Sequence, residues 1–179
     1  MMSADQRMLG DPDEREALAR MIRVDQAGEY GAVRIYQGQR AVLRNNKALK
    51  QMETQEREHL ARFNALVAEH GVRPTLLQPL WHLAGFALGA GTALLGEKAA
   101  MACTVAVEDV IEEHYARQEE ALGDSQPELK ATVQKFRAEE VEHKTHAIDQ
   151  GAEQAAGYPL LYAAISRGTK LAIWLSERI

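Results

Sequence analysis

Two short motifs, Glu56-Arg-Glu-His59 and Glu140-Val-Glu-His143, constrain this chain more than its composition does. Positions three apart on a helix are neighbours, with Cβ atoms about 5–6 Å apart, so the Glu and His of each motif can serve one ion. Each motif follows a helix with an isolated Glu in the middle of its apolar stripe. Glu29 precedes Glu56 by 27 residues, and Glu108 precedes Glu140 by 32. The chain thus repeats one order twice: helix with Glu, then helix with Glu-x-x-His. A carboxylate buried without a partner is costly, so four inward Glu and two inward His are best neutralised by two divalent ions. Imidazole nitrogen with carboxylate oxygen suits iron or manganese better than structural zinc, which favours thiolates.

Apolar spacing of three and four predicts helices over residues 13–45, 47–70, 97–122 and 127–156. The stripes carry Leu18, Ile22, Asp25, Glu29 and Tyr36 in the first helix, and Met52, Glu56, His59 and Phe63 in the second. Val105, Glu108, Ile111 and Tyr115 mark the third; Val133, Phe136, Glu140 and His143 mark the fourth. A last amphipathic helix follows Gly157 and Pro159. With 46% hydrophobic residues among 179, few aromatics and five prolines, the expectation is one all-α domain whose core closes without disulfides. Residues 1–12 are expected to be flexible.

No Asp, Glu, Lys or Arg lies between Arg73 and Glu97, a length just sufficient to span a bilayer. Pro74, Gln78, Pro79, His82 and four glycines oppose spanning. Residues 74–96 and 158–179 are therefore expected as apolar helices facing a membrane or a partner; bundle packing or an oligomer interface is the competing reading. The net charge of −5 and the lack of a basic run exclude a nucleic-acid partner. The single cysteine, Cys103, lies in an apolar run and reads as a small core residue. The acidic N-terminus has the pattern of neither a signal nor a transit peptide.

Glu58, Glu112, Glu113, Glu139 and Glu142 fall off the stripes and are expected to be solvated. Asp25, one turn before Glu29, is placed to orient a ligand histidine. His114, Tyr115 and His146 are expected to support the ligands rather than bind metal, while His70 and His82 are expected to be structural.

One Glu from each of two helices plus Glu-x-x-His from each of two others resembles the ferritin-like di-iron carboxylate bundles. That resemblance implies Glu29 and Glu108 as terminal ligands, with Glu56 and Glu140 bridging the metals. A narrower one runs from about residue 18 to the C-terminus. Arg23-Val-Asp-Gln-Ala-Gly-Glu-Tyr-Gly-Ala32, Phe86-Ala-Leu-Gly-Ala-Gly-Thr-Ala-Leu-Leu-Gly96, Ala102-Cys-Thr-Val-Ala-Val-Glu108 and Leu175-Ser-Glu-Arg178 resemble the demethoxyubiquinone hydroxylase family. It implies a ferritin-like four-helix bundle with extra amphipathic helices after the second helix and at the C-terminus. It also implies an O2-dependent di-iron monooxygenase of ubiquinone biosynthesis that hydroxylates the ring of a prenylated quinol, 5-demethoxyubiquinol.

All six family ligands have counterparts: Glu29, Glu56, His59, Glu108, Glu140 and His143. The family further implies a peripheral membrane position and a lipid-presenting partner protein; a homo-oligomer is compatible with it. The face is cytoplasmic for a bacterial member, or the matrix side of the inner membrane for a trimmed mitochondrial one. NADH is the implied reductant, but Gly89-Ala-Gly91-Thr-Ala-Leu-Leu-Gly96 is not a dinucleotide fingerprint, so the quinol itself or a separate reductase remains open as donor. Iron storage or peroxide reduction would use the same six ligands and give the apolar segments no role. A membrane-binding module with a coincidental Glu/His pattern is the non-enzymatic alternative.

Overall fold

The computed structural model describes residues 13–179; the flexible stretch expected at 1–12 lies outside the described residues. Among those described there are six α-helices and no strand: α1 Glu14–Val42, α2 Lys47–Glu69, α3 Gln78–Leu94, α4 Glu97–Leu122, α5 Pro127–Asp149 and α6 Tyr158–Ser176. Asp13 caps α1 by accepting from the Glu16 amide at 2.7 Å, and Asn46 caps α2 by accepting from Leu49 at 3.0 Å. The first helix is shorter than its stripe suggests. The fifth stops at Asp149 instead of continuing to residue 156, because Gly151 takes the left-handed φ of +84° and a 3-10 turn, Ala152–Gln154, follows.

Four long helices, α1, α2, α4 and α5, form the bundle, with α1 against α2 and α4 against α5. The remaining two are added outside it: α3 lies along α1, and α6 lies along α4. The indole N–H of Trp81 donates to Ser176 Oγ at 3.0 Å and joins the added helices to each other. No described helix is long and apolar enough to cross a membrane. The uncharged stretch is instead a 17-residue helix flattened against α1.

The seam between α1 and α3 is made of backbone. Gly85 of α3 faces the Gly31 carbonyl, a Cβ at Gly89 would overlap the Ile35 carbonyl, and one at Gly38 would overlap Phe86. Small residues four apart let two helices approach this closely.

Two apolar clusters divide the interior. Ile22, Phe63, Ile111, Val133 and Phe136 belong to one, and Tyr36, Leu49, Met52, Met101 and Val105 to the other. Cys103, fully buried in the first cluster, has its thiol pushed up to about 12, chiefly by that burial, and is inert.

Gly89→Val is expected to cost about 1–3 kcal/mol through forced separation of α3 from α1, lowering Tm by several degrees. Gly91→Ala, with open space around it, should leave Tm equal or higher. Calorimetry of both variants checks this, and equal Tm values would show that the seam yields.

Candidate metal centre

Between the two apolar clusters lie the four carboxylates and two imidazoles singled out in the sequence, each at most 3% exposed. Their side chains make two sets of potential donors, Glu29–Glu56–His59–Glu140 and Glu56–Glu108–Glu140–His143. Within each set the donor atoms lie within 4.8 Å of one another. Both sets contain Glu56 and Glu140. Glu29 and His59 complete one, Glu108 and His143 the other.

The hydrogen bonds of these groups are divided in a regular way. Tyr115 donates to one oxygen of Glu29, and Tyr36 donates to Glu108 Oε1 at 2.6 Å. His59 Nε2 lies 2.7 Å from Glu139 Oε2, and His143 Nε2 lies 3.1 Å from Gln55 Oε1. The other donor atom of each of these four residues has no hydrogen-bond partner, nor does either oxygen of Glu56 or Glu140. Those eight orphaned atoms converge: His59 Nδ1 is 3.1 Å from Glu140 Oε1, and His143 Nδ1 is 3.1 Å from Glu56 Oε1 and 3.2 Å from Glu140 Oε2. Ligands about 2.1 Å from one divalent ion and at right angles to each other stand about 3 Å apart. The donor set fits a pair of divalent cations: each outer residue is held by its far atom and offers its near one.

The electrostatics agree with that fit. Burial opposes charge on His59, yet the carboxylates of Glu140 and Glu29 outweigh it and hold the imidazolium up to about 12. At His143 burial is again outweighed, here by Glu140 and Glu56, and the value is about 11. Burial, followed by the neighbouring Glu140, pushes Glu56 and Glu108 upward. Burial would also raise Glu140, but the two histidines bring it down to about 2. The cluster therefore carries a negative potential strong enough to keep positive charge in a desolvated interior. Burial and the adjacent carboxylates raise both phenols, which keeps Tyr36 and Tyr115 protonated as donors.

Several expectations need correction. Asp25 does not reach either ligand-type histidine; its carboxylate takes Gln118 Nε2 at 2.6 Å and His114 Nε2 at 3.2 Å. Glu139, expected to be solvated, is only 24% exposed and holds His59. Glu112 is likewise partly covered and engages Lys144 at 2.6 Å. His146 makes no hydrogen bond to the cluster; its Nε2 has no partner, and it lines a polar cavity beside His143. His82, read as structural, needs none: it lies away from the cluster with its Nδ1 2.6 Å from Tyr30 Oη.

A cavity of about 310 Å³ reaches Glu29 and Tyr115 from the side of α3 and α6. Its walls are almost wholly apolar, with Ile35, Trp81, Leu88, Val107, Ile111 and Ile173 among them. Asp25 and His114 lie at its inner wall.

Residues 16–176 match the family model described as ubiquinone biosynthesis protein COQ7. The chain belongs to the COQ7 family. The 3-demethoxyubiquinol 3-hydroxylase of Rhodospirillum rubrum is 57% identical, with 99% of this chain and 85% of the relative covered. A mitochondrial NADPH-dependent 3-demethoxyubiquinone 3-hydroxylase of Bos taurus is 50% identical over 94% of this chain and 81% of its own. The mitochondrial 5-demethoxyubiquinone hydroxylase of Saccharomyces cerevisiae is 43% identical, covering 90% and 78%.

Sequence reasoning missed Tyr36, Gln55 and Glu139, although the repeat in this COQ7 chain contained a signal for each. Tyr36 stands seven residues after Glu29, as Tyr115 does after Glu108, and each phenol crosses to the other half's Glu. Gln55 and Glu139 directly precede the Glu of each motif, and each reaches the other half's His.

Tyr36→Phe strands Glu108 Oε1 without its donor and is expected to weaken metal binding about 10–100-fold. Chelator competition on the anaerobically loaded protein measures this. Unchanged affinity would mean that the phenol only packs.

Proposed function

We propose that this chain is an O2-dependent di-iron monooxygenase that hydroxylates the ring of a prenylated demethoxybenzoquinol, converting 5-demethoxyubiquinol to its ring-hydroxylated product in ubiquinone biosynthesis. The single observation carrying the reading is the convergence of eight orphaned donor atoms from Glu29, Glu56, His59, Glu108, Glu140 and His143. The hydroxylase names of the relatives support the substrate class.

Glu56 and Glu140 would hold both ions, Glu29 with His59 the first, and Glu108 with His143 the second. When bound, a ferrous pair supplies O2 activation and insertion of one oxygen atom, the second leaving as water. The remaining work belongs to the chain. Tyr36 and Tyr115 fix the orientation of Glu108 and Glu29. Gln55 and Glu139 fix the imidazole planes, so that Nδ1 faces inward. The apolar cavity beside Glu29 takes the quinol ring and excludes water from it, so positioning supplies much of the rate.

Two electrons per turnover come from outside. The family resemblance points to NADH, and mitochondrial relatives are named NADPH-dependent, so a nicotinamide dinucleotide is the proposed reductant.

A peripheral membrane position accounts for the added helices: Leu83 is 70% exposed, Leu94 75% and Leu160 76%, with Leu171 and Trp174 also uncovered. Such a cluster of large apolar side chains marks a lipid or protein contact. The face is cytoplasmic in a bacterium or matrix-side in a mitochondrion. A lipid-presenting partner of the same pathway and a homo-oligomer are compatible with this surface.

Iron-loaded protein with a short-chain demethoxyquinol, a nicotinamide reductant and 18O2 is expected to yield a product one labelled oxygen heavier, whereas Glu140→Ala yields none. Iron oxidation without an organic product, or full turnover by the variant, overturns the reading. In liposome flotation the intact chain should rise with the vesicles and Leu83→Glu/Leu160→Glu should remain behind. Equal partitioning would assign those leucines to a protein contact.

A further inference from the structure

The proposed metal centre is flanked by cavities of opposite character. The one between α1, α3, α4 and α6 is apolar. On the α2–α5 side a smaller cavity, about 170 Å³, is lined mostly by polar side chains, Gln51, Gln55, Glu142, His143 and His146, beside Ala48 and Met52.

His143 belongs to both the cluster and this cavity. Its Nδ1 points inward to Glu56 and Glu140, and its Nε2 points outward to Gln55 Oε1 at 3.1 Å. One imidazole ring is therefore the partition between the cavity and the inner donors. One turn further along α5, His146 Nε2 is shielded from solvent and has no hydrogen-bond partner. Glu142 stands exposed at the rim on the same helix.

A hydrated divalent ion cannot use the apolar side. Stripping its water against walls such as Ile35, Leu88 and Ile173 meets a desolvation barrier before the carboxylates of Asp25 and Glu29 can offset it. The polar side offers a carboxylate, an unpartnered imidazole and amide oxygens around one cavity, so water can be exchanged for protein donors stepwise. Resting on the reading of the cluster as a di-metal centre, we propose that this α2–α5 cavity is the port through which ferrous ion is loaded. Glu142 captures the ion at the rim, His146 and the Gln55 side-chain oxygen relay it past the edge of the His143 ring, and Glu56 and Glu140 receive it. Substrate and metal thus reach the centre from opposite faces.

The metal-free full-length chain is mixed anaerobically with Co2+, whose visible absorption reports binding, and the end point is measured by elemental analysis. Chelator-driven release from the loaded protein supplies the reverse rate. Glu142→Lys/His146→Leu, and separately the exposed rim variant Gln51→Lys, are expected to slow loading and release about tenfold or more, since charge at a cleft mouth changes such rates by about 10–1000-fold. The end point should stay at two ions per chain. Rising ionic strength should slow the unmodified protein.

Unchanged rates in both rim variants at a full end point overturn the port. A reduced end point in them also overturns it, since the groups would then be supports of the centre. An unmodified chain that binds fewer than one ion refutes the di-metal centre itself, and the port with it.

Discussion

Mutual repulsion among four carboxylates in one dry interior sets the terms for the rest of this structure. Glu29, Glu56, Glu108 and Glu140 come from four different helices, so their helices can pack only if positive charge stands between them or some of the carboxyls stay protonated. The fold confines that requirement to one layer. Apolar clusters above and below seal it, and Glu29 and Glu108 are each steadied by a phenol whose own ionisation is suppressed by burial. A charged layer of this kind stabilises little by itself; its value is that it dictates which four helix faces must meet.

The arrangement is also internally doubled. Each half of the chain provides one Glu, one Glu-x-x-His, one tyrosine and one residue ahead of the motif, and the last two act on the opposite half. The halves are consequently interlocked by their supporting groups as well as by whatever they bind. Neither hairpin could hold its Glu and His in a fixed orientation alone, since the groups orienting them reside on the other.

Helix number, order and the six central residues were legible because burying a charged residue in an apolar stripe contradicts local pattern, and such contradictions stand out. What periodicity cannot convey is reach. Asp25 shares the inward stripe with Glu29, yet its carboxylate is turned toward Gln118 and His114 on α4. Glu139 lies off the stripe, yet its long side chain bends back under His59. The early end of α5 escaped notice because nothing in the stripe announces the left-handed turn at Gly151. That α3 would lie flat along α1 was encoded in glycines, whose meaning becomes visible only when a second backbone is beside them.

That glycine seam divides the freedom available to the two walls of the apolar chamber. Along α1 and α3 the helix-to-helix contact is main chain on main chain, so the spacing of these two backbones is fixed and only chamber-facing side chains such as Ile35 and Leu88 could be exchanged there. Along α6 the lining comes from ordinary side chains such as Ala172 and Ile173, anchored to α4 through Tyr162 with Asp109 and through Ser166 with the Ala106 carbonyl. A change in the chamber's width is therefore most readily made along the last helix, while the opposite pair of backbones stays at a fixed separation.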